Sequence, residues 1–573
     1  MTARRLLTSL LAAASLAALA TAARADTEPK GLALLDVPYS ASLAGSYLAG
    51  RSADVARDLG AANTYFSAAL GRDPGNPILL ERVIVLRMAT GEIESAVDLS
   101  DHLVTIDSLN PLARLLRSVV AFSDGRFETA QEEVEQTAPA PLAVLTGGLL
   151  TAWSQQARGD IDGALDSVRK LSGPSWYAIF QNYHQALIAD LAGQSDEAVE
   201  FITDAFNADG SALRVVEAYG VILARAGHRS DAITGLRAFM AEQPGNPVIG
   251  ALLAELEAGI TPPPVAASPI EGAAEVLYGL GAAIGIDQGT ELPAAYLHLS
   301  RYLKPDADLT LMALGDLHFG AERCEDAIAI YDQIDAGSNL KRNADIQVAL
   351  CLDAIERTDE ASDRLTALID ADATDIEAIA ALGNIYRGRE RFAEAAEVYT
   401  KAIDTIDEPD ASHWRLYYFR GVANERSKNW PEAEADLKLA LDLNPDQPQV
   451  LNYLGYSWVD MGINLEEGLE MIRTAVAQRP NDGYIIDSLG WAYYRLGRYQ
   501  DAVEQLERAA ELRPEDPVIN DHLGDAYWKV GRKLEATFQW AHARDLDPEP
   551  TDLEKIVKKL EGGLAADDTG RDG

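Results

Sequence analysis

The residues with the clearest chemical character lie near the C-terminal end of the chain. Aspartates and aromatic residues recur there at positions that face one side of successive predicted helices. Carboxylates attract lysine and arginine, while the faces of tryptophan and tyrosine rings bind cations and apolar side chains. We therefore predict an acidic, aromatic groove that binds an extended peptide with basic or apolar side chains. Its predicted lining residues are Asn452, Tyr456, Asp487, Trp491, Tyr494, Asp521, Asp525 and Trp528. For Trp491 and Trp528, packing within the fold is the alternative.

Residue patterns that would support catalysis are absent from the sequence. It contains no P-loop, no G-x-S-x-G, no H-E-x-x-H and no paired C-x-x-C. The histidines are scattered, and His522 and His542 each stand singly in the pattern, which favours packing or exposure over metal binding. No segment of about 100 residues is left over for a separate enzyme domain. We therefore predict a non-enzymatic protein with no cofactor and no metal site.

The two cysteines, Cys324 and Cys351, are predicted to lie on adjacent antiparallel helices at the same rim of the fold. In an oxidising compartment this arrangement permits a disulfide. The alternative is two buried thiols that pack as small apolar side chains.

These residues are positioned by a repeated pattern with a period of about 34 residues. Its glycines Gly421, Gly455, Gly490 and Gly524 are 34, 35 and 34 residues apart. In each copy a Leu-Gly pair precedes an aromatic residue, a later alanine and a final proline. The glycine and the alanine are small because two helices cross closely there, and the proline ends the second helix. Each copy is therefore a helix pair, and the first helices line the groove.

The same rhythm extends through most of the chain. Six helix pairs are predicted between Ala44 and Pro247 and about eight in the second half, which gives about fourteen in all. Between them, residues 261–270 include three consecutive prolines, which exclude a helix. We interpret this stretch as a hinge between two superhelical halves; a long surface loop on one continuous solenoid is the alternative.

The N-terminus reads as an export signal. Arg4 and Arg5 precede an apolar run, and Ala23-Arg24-Ala25 forms an A-x-A cleavage site. We predict export to the periplasm and cleavage after Ala25, with a transmembrane anchor as the alternative. The first 300 residues contain no cysteine, so no lipid anchor of the lipobox kind is expected.

The expected organisation follows from these features. It comprises a signal peptide at 1–25, a degenerate repeat array at 44–260, a Pro-rich linker at 261–270, a second array at 271–549, a capping helix at 550–562 and a disordered tail at 563–573.

The composition restricts the partners. The formal net charge is −41, and such an acidic surface repels nucleic acid and anionic lipid. Basic or unfolded polypeptides are the partners that it favours. The sequence does not determine the oligomeric state.

The Leu-Gly, aromatic, alanine and proline pattern resembles the tetratricopeptide repeat. This resemblance implies an all-α, right-handed superhelical α-solenoid that binds other proteins or extended peptide segments. The closing block from "LNYLGYSWVDMG" to "GDAYWKVGRKLEA" is similar to that of large periplasmic or envelope tetratricopeptide adaptors of Gram-negative bacteria. The similarity implies an adaptor that binds a C-terminal processing protease and presents substrates to it. A structural component of an envelope export or polysaccharide-secretion assembly is the alternative.

Overall fold

The computed structural model describes residues 42–243, 245–284 and 289–564 of the chain. Within these ranges it contains thirty helices and no strand, which confirms the predicted all-α class. None of the described helices is long and apolar enough to cross a membrane. The predicted signal peptide at 1–25 and residues 565–573 of the predicted tail lie outside the described residues. The contacts divide the chain into a first unit, Met1–Lys341, and a second unit, Arg342–Gly573.

Seventeen helices are described in the first unit. They are α1 (Leu43–Val55), α2 (Leu59–Leu70), α3 (Pro77–Ala89), α4 (Ile93–Ile106), α5 (Pro111–Ser123), α6 (Phe127–Glu135), α7 (Pro141–Ala157), α8 (Ile161–Arg169), α9 (Tyr177–Leu191), α10 (Ser195–Ala208), α11 (Leu213–Arg225), α12 (Arg229–Glu242), α13 (Pro247–Glu257), α14 (Pro269–Ala283), α15 (Glu291–Leu303), α16 (Asp308–Gly320) and α17 (Cys324–Tyr331).

The remaining thirteen helices begin at the boundary between the units. They are α18 (Lys341–Ala354), α19 (Thr358–Ala371), α20 (Ile376–Gly388), α21 (Phe392–Ile403), α22 (Trp414–Arg426), α23 (Trp430–Leu443), α24 (Pro448–Asp460), α25 (Leu465–Gln478), α26 (Gly483–Arg495), α27 (Tyr499–Leu512), α28 (Pro517–Lys529), α29 (Lys533–Asp545) and α30 (Pro550–Gly562).

The helices combine into fourteen pairs, which confirms the predicted number. Six pairs are formed by α1 to α12 and eight by α14 to α29, while α13 and α30 stand singly. Within a pair, the crossing point requires a small residue on the first helix. A Cβ atom on Gly490 would lie 2.5 Å from Leu506, and one on Gly524 would lie 2.4 Å from Trp540. The repeat glycines are therefore small because the two helices of a pair cross closely there, as the sequence analysis inferred.

In the first unit, one helix pair folds onto the others. Helices α14 and α15 pack against α3, α5, α7 and α9, which are first helices of the preceding pairs. The approach is close, because a Cβ atom on Gly272 of α14 would lie 2.4 Å from the ring of Trp153 in α7. The first helices of this unit are therefore covered by a later segment of the same unit.

The Pro-rich segment connects α13 to this pair and is packed. Arg229 Nη2 donates to Thr261 Oγ1 at 2.9 Å, Arg225 donates to the carbonyl of Pro262 at 3.5 Å, and Ala266 is 2% exposed. The units divide between Lys341 and Arg342 and not at the hinge expected at 261–270. The reason is that α14 and α15 bury their apolar faces against the N-terminal helices.

Candidate functional site

The eight residues predicted to line the groove lie on three first helices of the second unit. Helix α24 carries Asn452 and Tyr456, α26 carries Asp487, Trp491 and Tyr494, and α28 carries Asp521, Asp525 and Trp528. Helix α24 contacts α26, and α26 contacts α28. We call the side that these positions share the first-helix surface of the second unit.

The centre of this surface is an aromatic stack around Trp491. Its ring stacks on Tyr494, with centroids 4.8 Å apart, and on His522, with centroids 4.1 Å apart. His522 Nδ1 lies 3.0 Å from Asp487 Oδ1, and both side chains are buried. Sequence reasoning treated His522 as an isolated residue. Its separation from Asp487 by one repeat length is the signal that places the two on neighbouring first helices.

The ionisation of His522 depends on Asp487. Burial favours the neutral imidazole, but the charge of Asp487 and its hydrogen bond outweigh burial, so the pKa of His522 is raised. Beside this pair, burial and the carboxylates of Asp460 and Asp487 raise the pKa of Tyr456, which therefore stays protonated. The predicted Asp487 carboxylate is thus engaged by His522 of its own chain.

The other two predicted aspartates are bound by the last helix. Lys559 of α30 lies 2.7 Å from Asp521 Oδ2 and 2.8 Å from Asp525 Oδ2, and Trp540 Nε1 donates to Asp525 Oδ1 at 2.8 Å. Burial raises the pKa of Asp525 although Lys559 opposes the shift. Helix α30 therefore neutralises this end of the surface, which the sequence analysis did not anticipate.

Trp528 packs within the fold. Its ring centroid is 5.3 Å from that of Trp540, and Lys533 Nζ lies 4.6 Å from its centroid. A Cβ atom on Gly563 would lie 2.0 Å from the Trp528 ring, so the backbone after α30 covers this side chain. Trp491 and Trp528 both pack against the core cluster of the last repeats, as the alternative stated for them required.

The predicted acidity of the groove is therefore not available to a ligand. Asp487 is 7% exposed and Asp525 is 5% exposed, and Asp521 is paired with Lys559. The expectation that these carboxylates are exposed is wrong, because their partners come from neighbouring first helices and from α30. That a partner contacts these eight residues stays a prediction.

A second set of aromatic residues, which the sequence analysis did not single out, lies nearer the start of the second unit. We call Trp414, Tyr418, Phe419 and Tyr453 the aromatic strip. Tyr418 lies three residues before Gly421, as Asn452, Asp487 and Asp521 lie three before their repeat glycines, so it occupies the same position on α22.

The rings of the aromatic strip contact one another and, like Trp491 and Trp528, are half-buried and pack against core clusters of the second unit. Tyr418 lies 6.2 Å from Trp414, 5.3 Å from Phe419 and 6.2 Å from Tyr453, measured between ring centroids. Four aromatic residues in the thirteen-residue helix α22 are the signal that sequence reasoning overlooked. A partly exposed cluster of this kind is suited to contact apolar side chains of a partner.

The equivalent surface of the first unit is covered. Arg214 and Tyr183 bind Glu275 of α14, at 2.5 Å from Arg214 Nη2 and 3.1 Å from the Tyr183 hydroxyl. At the other end, Arg82 binds Glu291 of α15 through two hydrogen bonds, of 2.6 and 2.7 Å. Acids of α14 and α15 thus pair with arginines of these first helices within the unit.

The two cysteines are both buried, with Cys324 6% and Cys351 0% exposed. The disulfide between them stays a prediction.

Two family models match the second unit. One described as tetratricopeptide repeat matches residues 380–448, and one described as TPR repeat matches residues 490–531.

Curated relatives match short parts of the chain. The TPR repeat-containing protein PA4667 of Pseudomonas aeruginosa is 36% identical over 87 residues, 15% of this chain and 15% of the relative. Human protein O-mannosyl-transferase TMTC1 is 24% identical over 152 residues, 26% of this chain and 16% of the relative. Human tetratricopeptide repeat protein 13 is 34% identical over 103 residues, which are 18% of this chain and 11% of the relative. The chain thus spans 11% to 16% of the length of these relatives.

Solved structures of helical-repeat proteins are also similar. The Cut9–Hcn1 hetero-tetramer of the APC/C has a TM-score of 0.37 at 14% identity, covering 90% of this chain and 95% of that chain. MamA AMB-1 has a TM-score of 0.25 at 21% identity, and the match covers 29% of this chain and 95% of that chain. The matched family models, the repeat geometry and these sequence relatives show that the chain contains tetratricopeptide repeats, which support a scaffold for protein–protein interaction.

Proposed function

We propose that this protein is a non-enzymatic adaptor that acts in the periplasm and binds other proteins through the first-helix surface of its second unit. The observation that carries the proposal is the aromatic strip, whose rings cluster on a repeat surface and remain half-buried. Partly exposed aromatic residues are typical anchors of protein interfaces.

The rest of the molecule supports the aromatic strip as the binding surface. In the first unit, α14 and α15 cover the first helices. At the C-terminal end of the second unit, Lys559 binds the two aspartates of α28. These two parts of the repeat surface are thus engaged by the chain's own side chains, whereas the rings of the strip on α22 and α24 remain half-buried.

The more specific role is the presentation of substrates to an envelope protease. It is supported by the similarity of the closing repeats to envelope adaptors, and by the A-x-A motif at Ala23-Arg24-Ala25. N-terminal sequencing of the protein from an envelope fraction checks the location. The expected sequence begins Asp-Thr-Glu-Pro, and recovery of Met1 from the soluble periplasm would contradict export with cleavage.

Site-specific crosslinking tests the binding surface. A photoreactive phenylalanine analogue replaces Trp414 in the strip, and the matched control carries it at Phe538, which is 67% exposed on α29. We expect a discrete crosslinked partner at Trp414 that is lost when Tyr453→Ala is added, and no such product at Phe538. Equal products at both positions, or none at Trp414 in the native envelope, would refute the proposed surface.

A further inference from the structure

We infer that the aromatic strip binds an acidic segment of the partner, and that Arg387, Arg415 and Arg426 pair with its carboxylates. This inference rests on the adaptor function proposed above and specifies the chemistry of the partner. It reverses the charge that the sequence analysis expected, which was basic.

The three arginines are held against aromatic rings beside or within the strip. The guanidinium carbon lies 4.9 Å from the ring centroid for Arg387 over Phe419, 5.4 Å for Arg415 over Trp414 and 4.6 Å for Arg426 over Phe392. On α22, residues 415, 419, 422 and 426 follow the three- and four-residue spacing of one helix face. Arg415 and Arg426 therefore stand at the two ends of the face that carries Phe419.

None of the three forms an ion pair with a carboxylate among residues 342–564 of the second unit, although many arginines there do. Examples with such a pair are Arg342, Arg391, Arg498 and Arg532. Arg387 donates to the neutral amide oxygen of Asn384 at 2.8 Å. Three arginines without a paired carboxylate thus lie over rings of α21 and α22, in a chain whose net charge is −41.

The acids nearest to the strip are already bound. Glu425 accepts a hydrogen bond of 2.7 Å from the Tyr453 hydroxyl, and Asp436 accepts two from Arg420, at 2.8 and 2.7 Å. Further along the surface, Asp487 is bound by His522. Glu425 and Asp436 therefore already have donors within the unit, whereas the three arginines over rings have no carboxylate partner among residues 342–564.

The stacked geometry suits carboxylate binding. A guanidinium that lies over a ring is fixed in orientation, and the N–H groups at its edge remain free to donate to a planar carboxylate. The rings between the arginines then contact apolar side chains. The partner segment that fits combines glutamate or aspartate with aromatic or branched apolar residues in an extended conformation.

Binding of two labelled peptides to the full chain tests this inference. One is a fluorescein-labelled twelve-residue peptide that alternates glutamate with leucine, and the other has lysine in place of every glutamate. Fluorescence anisotropy at physiological ionic strength measures both. We expect saturable binding of the acidic peptide and at least tenfold weaker binding of the basic one; the opposite order would overturn the inference.

Variants then assign the site. The triple variant Arg387→Gln, Arg415→Gln and Arg426→Gln should weaken binding of the acidic peptide about tenfold, since three partly exposed pairs each contribute modestly. The matched control is Arg479→Gln with Arg508→Gln, which removes arginines of the same unit that also lack an ion pair but do not lie over a ring. It should retain wild-type affinity. Equal losses in both variants would mean that only net charge matters, which contradicts the inference.

The same variants separate this inference from the proposed function. If the triple arginine variant keeps the crosslinked partner at Trp414 while Tyr453→Ala loses it, the adaptor surface stands and the acidic chemistry is wrong. If the triple variant loses the partner and binds the acidic peptide weakly, both stand. Helical content and thermal unfolding, compared with the wild type, exclude loss of folding as the cause.

Discussion

Glu275 is the acid whose loss should most weaken the covering of the first unit. Glu275→Gln keeps the shape of the side chain but removes its charge opposite Arg214, whose Nη2 and Nε atoms lie 2.5 and 3.1 Å from the carboxylate. The two side chains are 12% and 16% exposed. Breaking a buried pair by changing one partner costs about 3–5 kcal/mol. Because Glu217 still neutralises Arg214, we expect about 3 kcal/mol.

Hydrogen exchange is the suitable measurement, because a repeat protein does not unfold in one two-state step. A loss of about 3 kcal/mol should accelerate exchange of the α14 amides about a hundredfold, while α19 should not change. The control Glu257→Gln removes an acid that pairs with Arg237 on the surface, where the side chains are 43% and 64% exposed, and should have little effect. Exchange of α14 in Glu275→Gln within about twofold of the wild type would refute this account.

Three further predictions concern the second unit and the cysteines. The pKa of His522 is raised in the fold, so its ion pair with Asp487 stabilises α26 and α28 fully below about pH 6.5 and less as the pH rises through the raised pKa. Hydrogen exchange of these two helices should therefore accelerate with pH by more than its intrinsic increase. The variant His522→Gln should abolish this additional acceleration. Gly563 has a φ of 71° and covers Trp528, so Gly563→Ala should destabilise the docking of α30 by more than about 1 kcal/mol in hydrogen exchange, whereas Gly562→Ala should not. Thiol labelling of the denatured, unreduced protein should detect no thiol if Cys324 and Cys351 form the predicted disulfide, and two labelled thiols would contradict it.

The repeat architecture was predictable because its signals are local. A Cβ atom on Gly490 or Gly524 would meet a side chain sixteen residues later in the same pair, and the same spacing recurs in other copies, as for Gly315 with Tyr331. A period in the sequence is therefore sufficient to count the pairs and to place their first helices. The predicted groove positions lie on three first helices that contact one another in series for the same reason.

The charge of the surface was not predictable by this reasoning. Asp487 is hydrogen-bonded to a residue one repeat further on, and Asp525 pairs with Lys559 of the last helix, 34 residues away. A repeat position identifies where a side chain lies, but its electrostatic state depends on which residue the neighbouring copy places opposite. His522 and Lys559 occupy those places here, and they engage these acids within the fold.

The topology of the folded-back pair α14 and α15 could not be predicted from the repeat period either. Its internal crossing follows the repeat rule, since a Cβ atom on Gly281 would lie 3.0 Å from Leu297. Periodicity therefore cannot distinguish a pair that extends an array from one that covers it. The distinguishing features are two residues that the crossing does not need. Gly272 admits the ring of Trp153, and Glu275 is an acid beyond the first turn of an otherwise mainly apolar helix. An acid at such a position is retained against the cost of burial only if a cation of another element meets it, as Arg214 does.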